Sequence, residues 1–102
     1  MAKYVISPLA AQDLEAIGDY IAQDNPHRAI TFIAELRRQC DKIAASPKAC
    51  RNRTELGENI RSSAYGNYVI FLHDAQDGLC IVRVLHGAMD AGSRFQKESD
   101  ER

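Results

Sequence analysis

Apolar positions recur along this chain with two different periods. Between residues 8 and 45 they fall three or four apart, as on one face of a helix, and from residue 60 onward they crowd into short strand-like runs. Lys3-Tyr4-Val5-Ile6 reads as a first short strand. Ser7-Pro8 follows, a serine cap and a proline whose missing N–H has no partner in a first helical turn. Leu9, Leu14, Ile17 and Ile21 continue at helical spacing, and Tyr20 widens the stripe. Asp13, Glu15 and Asp19 are expected on or beside the polar side, where acids near the N-terminus suit the helix dipole. Asn25-Pro26 repeats the start signal, and Ala29, Phe32, Ile33, Leu36, Cys40 and Ile43 form a second stripe that Ser46-Pro47 ends. Almost nothing separates the two helices, which predicts an antiparallel αα-hairpin.

Three strands are predicted next, over residues 60–65, 68–73 and 79–85. Gly66-Asn67 between the first two is a strong two-residue hairpin signal, and residues 74–78 form a looser hairpin loop ending in Asp77-Gly78. In the last strand, alternation puts Cys80, Val82 and Val84 on one face and Ile81, Arg83 and Leu85 on the other. Both faces are mostly apolar, which predicts an inner strand interrupted by one charge. His86 and Gly87 fall where that strand runs out. The meander must bury an apolar face, and the helical hairpin is the element available to cover it. The expected fold is therefore α+β with two layers, in the order β-α-α-β-β-β, an antiparallel sheet under an αα-hairpin. One domain is expected over residues 1–91, with a polar tail over 92–102 in which Phe95 is the one large apolar residue. Residues 48–59 show no clean period. They carry Lys48, Arg51 and Arg53 and read as a surface connection, with a basic patch that touches a partner as the functional alternative.

Composition narrows the classes of function. The chain has 102 residues, 45% of them hydrophobic, enough for one modest core. Its 13 basic and 14 acidic residues leave a net charge of −1, which argues against a protein whose main task is to hold a nucleic-acid backbone through a global positive field. No apolar run reaches membrane-spanning length, and no export signal is visible, so a cytoplasmic location is expected. Cys40, Cys50 and Cys80 show no Cys-x-x-Cys spacing. Cys40 and Cys80 lie in apolar patterns and read as small buried hydrophobes, and Cys50 as the most exposed of the three. His27, His73 and His86 make no ligand-like pair with any cysteine, so no metal or other cofactor is expected.

No phosphate-binding glycine motif occurs, and Ser62, Ser63, Cys80 and His86 lack the local context of a nucleophilic triad. What remains is Arg61, Tyr68, Arg83 and His86, a set expected at one end of the sheet. Arginines beside a histidine suit phosphate binding or RNA cleavage. Each also has an ordinary reading: a solvated strand arginine, a core-edge tyrosine, an ion-paired arginine, a histidine bonded to a strand-end carbonyl.

The order strand, αα-hairpin, meander resembles the RelE/ParE superfamily of bacterial toxins. Local features are similar to the ParE branch: Ser7-Pro8-Leu9-Ala10 with Asp13-Leu14, Tyr20-Ile21-Ala22 before Asn25-Pro26, Glu55-Leu56-Gly57 leading to Ile60-Arg61-Ser62, Tyr68-Val69-Ile70-Phe71, and Ile81-Val82-Arg83-Val84-Leu85-His86-Gly87-Ala88 with Asp90. The resemblance runs from about Tyr4 to Asp90.

Two activities are implied by that resemblance. RelE-like members are ribosome-dependent mRNA endonucleases that use several basic groups on the sheet; ParE-like members are gyrase poisons that act by binding. Asn59, Tyr68 and the Ala88–Met89 region stand where the nuclease branch has basic residues, and only Arg61 keeps its charge. The resemblance therefore implies the toxin of a type II toxin–antitoxin system, with DNA gyrase as target and no catalytic residue of its own. Arg61, Tyr68, Arg83 and His86 become target-binding residues. The implied partner is a ParD-like antitoxin whose C-terminal segment folds along the toxin, and DNA is met only through the antitoxin or gyrase. Tyr20, Ile21 and Phe32 are the expected antitoxin contacts, in a groove formed by the outer surface of the hairpin and a sheet edge, with a place in the core as the alternative for Phe32. The alternatives are the endonuclease, using Arg61, Arg83 and His86, and an inactive relative kept as an antitoxin-binding partner. The arginine and tyrosine that many ParE-like chains carry at positions 89 and 72 are Met89 and Leu72 here.

Overall fold

The computed structural model describes residues 4–75 and 78–87. The expected tail over 92–102, and positions 88 to 90, lie outside them. The chain runs β1 (Tyr4–Ile6), α1 (Pro8–Ala22), α2 (Pro26–Ala45), β2 (Arg51–Asn52), β3 (Arg61–Tyr65), β4 (Tyr68–Ala75) and β5 (Gly78–His86), with single 3₁₀ turns at Pro47–Ala49 and Thr54–Leu56.

Both helices start as their sequences dictate. The Ser7 hydroxyl accepts the Ala10 N–H at 3.0 Å and the Asn25 side chain accepts the Arg28 N–H at 3.0 Å, each with proline next in line. The helices bury Ala10, Leu14 and Ile17 from α1 and Ala29, Phe32, Leu36, Cys40 and Ile43 from α2. All of these except Ala29 meet Ile70, Leu72, Leu79, Ile81 and Val84 of the sheet in the main core. The two-layer α+β arrangement with an αα-hairpin over the sheet is the one the pattern predicts.

The sheet holds two features the pattern does not give. Its strand order is β1-β5-β4-β3-β2, and β1 runs parallel to β5 while the other pairs are antiparallel, so it is mixed and not wholly antiparallel. A parallel pair needs a long crossover, which the helical hairpin and meander together supply. Residues 51–52 add a fifth strand at the far edge, inside the stretch expected to be a loop.

Strand β5 also carries a bulge. Phe71 pairs with Arg83 but Leu72 pairs with Ile81, which leaves Val82 without an opposite residue. One extra residue inverts the alternation beyond it. Val84 thus joins Leu79 and Ile81 in the helix-facing core, and Leu85 joins Val82 in a second cluster on the other face with Ile60 and Phe71. Leu56 and Val69 pack against that cluster, so the connection over 54–60 covers part of the outer sheet face. The β3–β4 turn uses Gly66 at φ +58°, as the Gly-Asn dipeptide predicts, and the Gly87 N–H donates to the Asn67 carbonyl at 2.7 Å, tying the end of β5 to it.

Cys40 is buried, and Cys50 and Cys80 are half-buried. The expectation that Cys50 stands out is corrected, because the 3₁₀ turn at Pro47–Ala49 folds it back against the main core. Among the described residues, no helix is long and apolar enough to cross a membrane.

Candidate functional site

Where β5 ends, Tyr68 of β4 pairs with Tyr65 on one side and His86 on the other. The Tyr68 ring meets the His86 ring edge-on at 5.3 Å and lies 5.6 Å from Phe32. Between this corner and α1 lies a pocket of about 340 Å³, lined by Asp13, Ala16, Ile17, Tyr20, Tyr68, Arg83, Val84, Leu85 and His86. Burial raises the Tyr68 pKa, and the nearby Tyr20 adds to the effect, so its hydroxyl stays protonated.

Arg83 is held from α1. Its Nε donates to Asp13 Oδ2 at 2.8 Å and its Nη2 to Oδ1 at 3.0 Å, a bidentate pair with side-chain exposures of 11% and 14%. The same carboxylate accepts the Val84 N–H at 3.0 Å. This contact continues a series along one edge of β5. The Ser7 N–H donates to the Ile81 carbonyl, the Ser7 hydroxyl donates to the Val82 carbonyl, and Asp13 takes the Val84 N–H. Strand β1 ends at Ile6, and a capping serine and a helix carboxylate take over its hydrogen bonds.

Asp13 is the residue that sequence reasoning missed by assigning it to the polar side. Its signal is the spacing Ala10, Asp13, Leu14, Ile17, which follows i, i+3, i+4, i+7 and sets the acid on the buried stripe.

Of the four residues expected together, Tyr68, Arg83 and His86 share this pocket and Arg61 does not. Arg61 opens β3, four residues before Tyr65, roughly 13 Å along the strand. It lies 3.7 Å from Asp74 at the opposite end of the sheet. The four-residue cluster is corrected accordingly, because strand register separates its members. Among the described residues, no group of three or more His, Cys, Asp or Glu could hold a metal ion.

The residues expected to meet an antitoxin divide as well. Tyr20 is 70% exposed, and Ile21 is half-buried against the main core. Phe32 is 8% exposed, packed against Tyr65 and Tyr68 beneath the Arg28 guanidinium. Its place on the outer surface is corrected, since it belongs to the stripe that faces the sheet. Ile30, passed over because it falls outside that stripe, is 71% exposed. A second groove of about 480 Å³ lies between the helices, lined by Leu14, Gly18 and Ile33 together with Glu15, Asp19 and Arg37.

This architecture and its sequence have known counterparts. Residues 4–91 match the family model described as the ParE toxin of type II toxin–antitoxin system, parDE. Two curated relatives named Toxin ParE1, from Mycobacterium tuberculosis strains CDC 1551 / Oshkosh and H37Rv, are each 31% identical over 91 residues, covering 87% of this chain and 93% of theirs. A solved structure titled Chromosomal ParDE TA system from P. aeruginosa shares the fold at a TM-score of 0.70 and 18% identity, over 84% of this chain and 96% of that one. The family match spans all of the described residues, and the chain belongs to the ParE toxin family of type II toxin–antitoxin systems.

Proposed function

We propose that this ParE-family toxin acts by binding to DNA gyrase, without catalysis of its own, and that a ParD-like antitoxin neutralises it. The observation that carries the reading is the Asp13–Arg83 pair. A nuclease built on this sheet needs cationic groups aimed at a phosphate and an imidazole poised to move a proton. Here the guanidinium of Arg83 is engaged by a buried carboxylate, Arg61 stands at the other end of the sheet, and His86 lies against the Tyr68 ring. The pocket beside them is lined by Ala16, Ile17, Val84 and Leu85 as well as the two tyrosines, an apolar character that suits an anchoring side chain of a protein target. Tyr68 and His86 are its proposed contacts, with Arg83 as the support behind them and Arg61 outside the pocket.

The antitoxin is proposed to lie along the hairpin, where Tyr20 and Ile30 offer large exposed apolar surface and Ile21 and Ile33 lie half-buried. A short segment that orders on binding would bury these residues.

Purified toxin, added to gyrase with supercoiled plasmid, should inhibit supercoiling or trap cleaved DNA, and equimolar antitoxin should reverse the effect. Codon-linked cleavage of ribosome-bound mRNA, with gyrase unaffected, would replace this reading by the endonuclease.

A further inference from the structure

Charge is segregated in this near-neutral chain. Seven of its 13 basic residues fall between positions 37 and 61: Arg37, Arg38, Lys42, Lys48, Arg51, Arg53 and Arg61. The fold gathers four of them along one margin. Gln39 of α2 bonds to Ser63 of β3, so that side of the helix is turned toward the sheet edge. Arg38 lies close enough to Glu35 and Tyr65 to act on both electrostatically, and Lys42 follows one turn later. The chain then carries Lys48 through the 3₁₀ turn into β2, where Arg51 pairs with Ser62 of β3. Arg38, Lys42, Lys48 and Arg51 are all exposed, and none is in an ion pair among the described residues.

Three acids share the same stretch. Asp41 is exposed on α2 and acts electrostatically on Tyr4, on the β1 side of the helix. Glu55 is bound by Arg53 at 2.6 Å. Glu58 is exposed in the turn that leads into β3.

We infer that this margin is an interaction surface for the phosphate backbone of duplex DNA. The partner's class follows from what the surface lacks. The exposed large hydrophobics among the described residues, Val5, Leu9, Tyr20 and Ile30, all lie outside residues 37–61. A protein interface is anchored by apolar and aromatic side chains, whereas backbone phosphates are held by cations and polar groups alone. No aromatic residue occurs between positions 37 and 61, so the margin offers no platform on which unpaired bases stack. A regular duplex remains the polyanion that fits. The choice of DNA over RNA rests on the proposed gyrase reading, since that target holds a DNA duplex. Direct contact also departs from the expectation that DNA is met only through other proteins.

The test is fluorescence anisotropy of a 20-base-pair DNA duplex (a length of about two helical turns) with the purified full chain at rising salt. Four phosphate contacts give a slope of log K against log salt of about −3 to −4, or about 10²-fold weaker binding between 50 and 200 mM. The Arg38→Glu/Lys42→Glu variant should reduce that slope by about 2 and weaken binding at low salt at least tenfold. Lys48→Gln/Arg51→Gln, a milder change at exposed sites, should reduce the slope by a similar amount and serves if the first variant misfolds. Absence of binding at low salt, or unchanged binding in both folded variants, overturns the inference. So does preference for duplex RNA, or displacement by polyglutamate at equal charge, which would point to an acidic protein. Gyrase poisoning by a toxin that binds no DNA would remove this inference and leave the proposed function standing.

Discussion

Asp13 and Arg83, 70 residues apart in sequence, form a bidentate ion pair that clamps α1 to the edge of β5. Its geometry satisfies both charges and the Val84 N–H together, with little solvent access. Removing one partner strands the other. Asp13→Ala should cost about 3–5 kcal/mol, the usual penalty for leaving a buried charge uncompensated. Replacing both, as Asp13→Leu/Arg83→Met, should recover much of that loss, because a packed apolar pair avoids desolvation. Urea unfolding of the two variants checks this. A double variant no more stable than Asp13→Ala would show that the pair is not the coupled unit.

Phe32 and Tyr20 should respond in opposite ways. Phe32→Ala empties a site between Tyr65 and Tyr68 and should destabilise the fold by about 3–5 kcal/mol. Tyr20→Asp, on a residue 70% exposed, should leave the melting temperature nearly unchanged and weaken the antitoxin complex at least tenfold. Circular dichroism melts and titration calorimetry with the antitoxin separate the effects. Full-strength binding by folded Tyr20→Asp would remove this face from the antitoxin site.

His86 should tolerate loss of its imidazole. His86→Gln keeps hydrogen-bonding capacity, and its toxicity in induced cells should stay within a few-fold of the parent. Loss of a true general acid or base typically costs about 10²–10⁴ in rate. Abolished toxicity in a folded, antitoxin-binding His86→Gln protein would favour the endonuclease.

Glu35 contributes an acid-sensitive contact. Hydrogen bonds from Arg28, and then from Tyr65, hold its carboxyl below the ordinary value of 4.5. A folded-state pKa below the unfolded one gives stability that is present above about pH 4.5 and lost as pH falls through the lower folded value. Glu35→Gln should therefore narrow the stability gap between pH 6 and pH 3 (about the range over which carboxyls titrate), by a small amount because the site is solvent-accessible. Melts at the two pH values measure it, and an unchanged gap would mean that the contact carries no linked proton.

Cys40 should be chemically silent in the native state. Burial pushes its thiol up to about 11, so roughly one molecule in 10⁴ carries a thiolate at neutral pH. Labelling by a disulfide reagent should proceed only as fast as the chain unfolds, and should accelerate in urea. Rapid native labelling of Cys40 would contradict its placement in the core.

The local elements were legible because their causes are local. Ser7-Pro8 and Asn25-Pro26 open the two helices, Ser46-Pro47 closes the second, and Gly66-Asn67 makes the turn, each through chemistry confined to a few neighbouring residues. The family was legible as well, because the order of these elements and the local motifs on them persist in the chain itself. Tertiary structure decided the rest. Parallel pairing of β1 with β5 depends on how the chain returns, which no local period encodes. The bulge at Val82 inverts the faces of Val84 and Leu85, and a strict two-residue alternation assigns them wrongly. Register carried Arg61 away from His86, while packing drew Asp13 against Arg83 across 70 residues. A side chain's chemical type is written in sequence, but the charge or ring that answers it is chosen by strand register and helix packing, which only the folded chain sets.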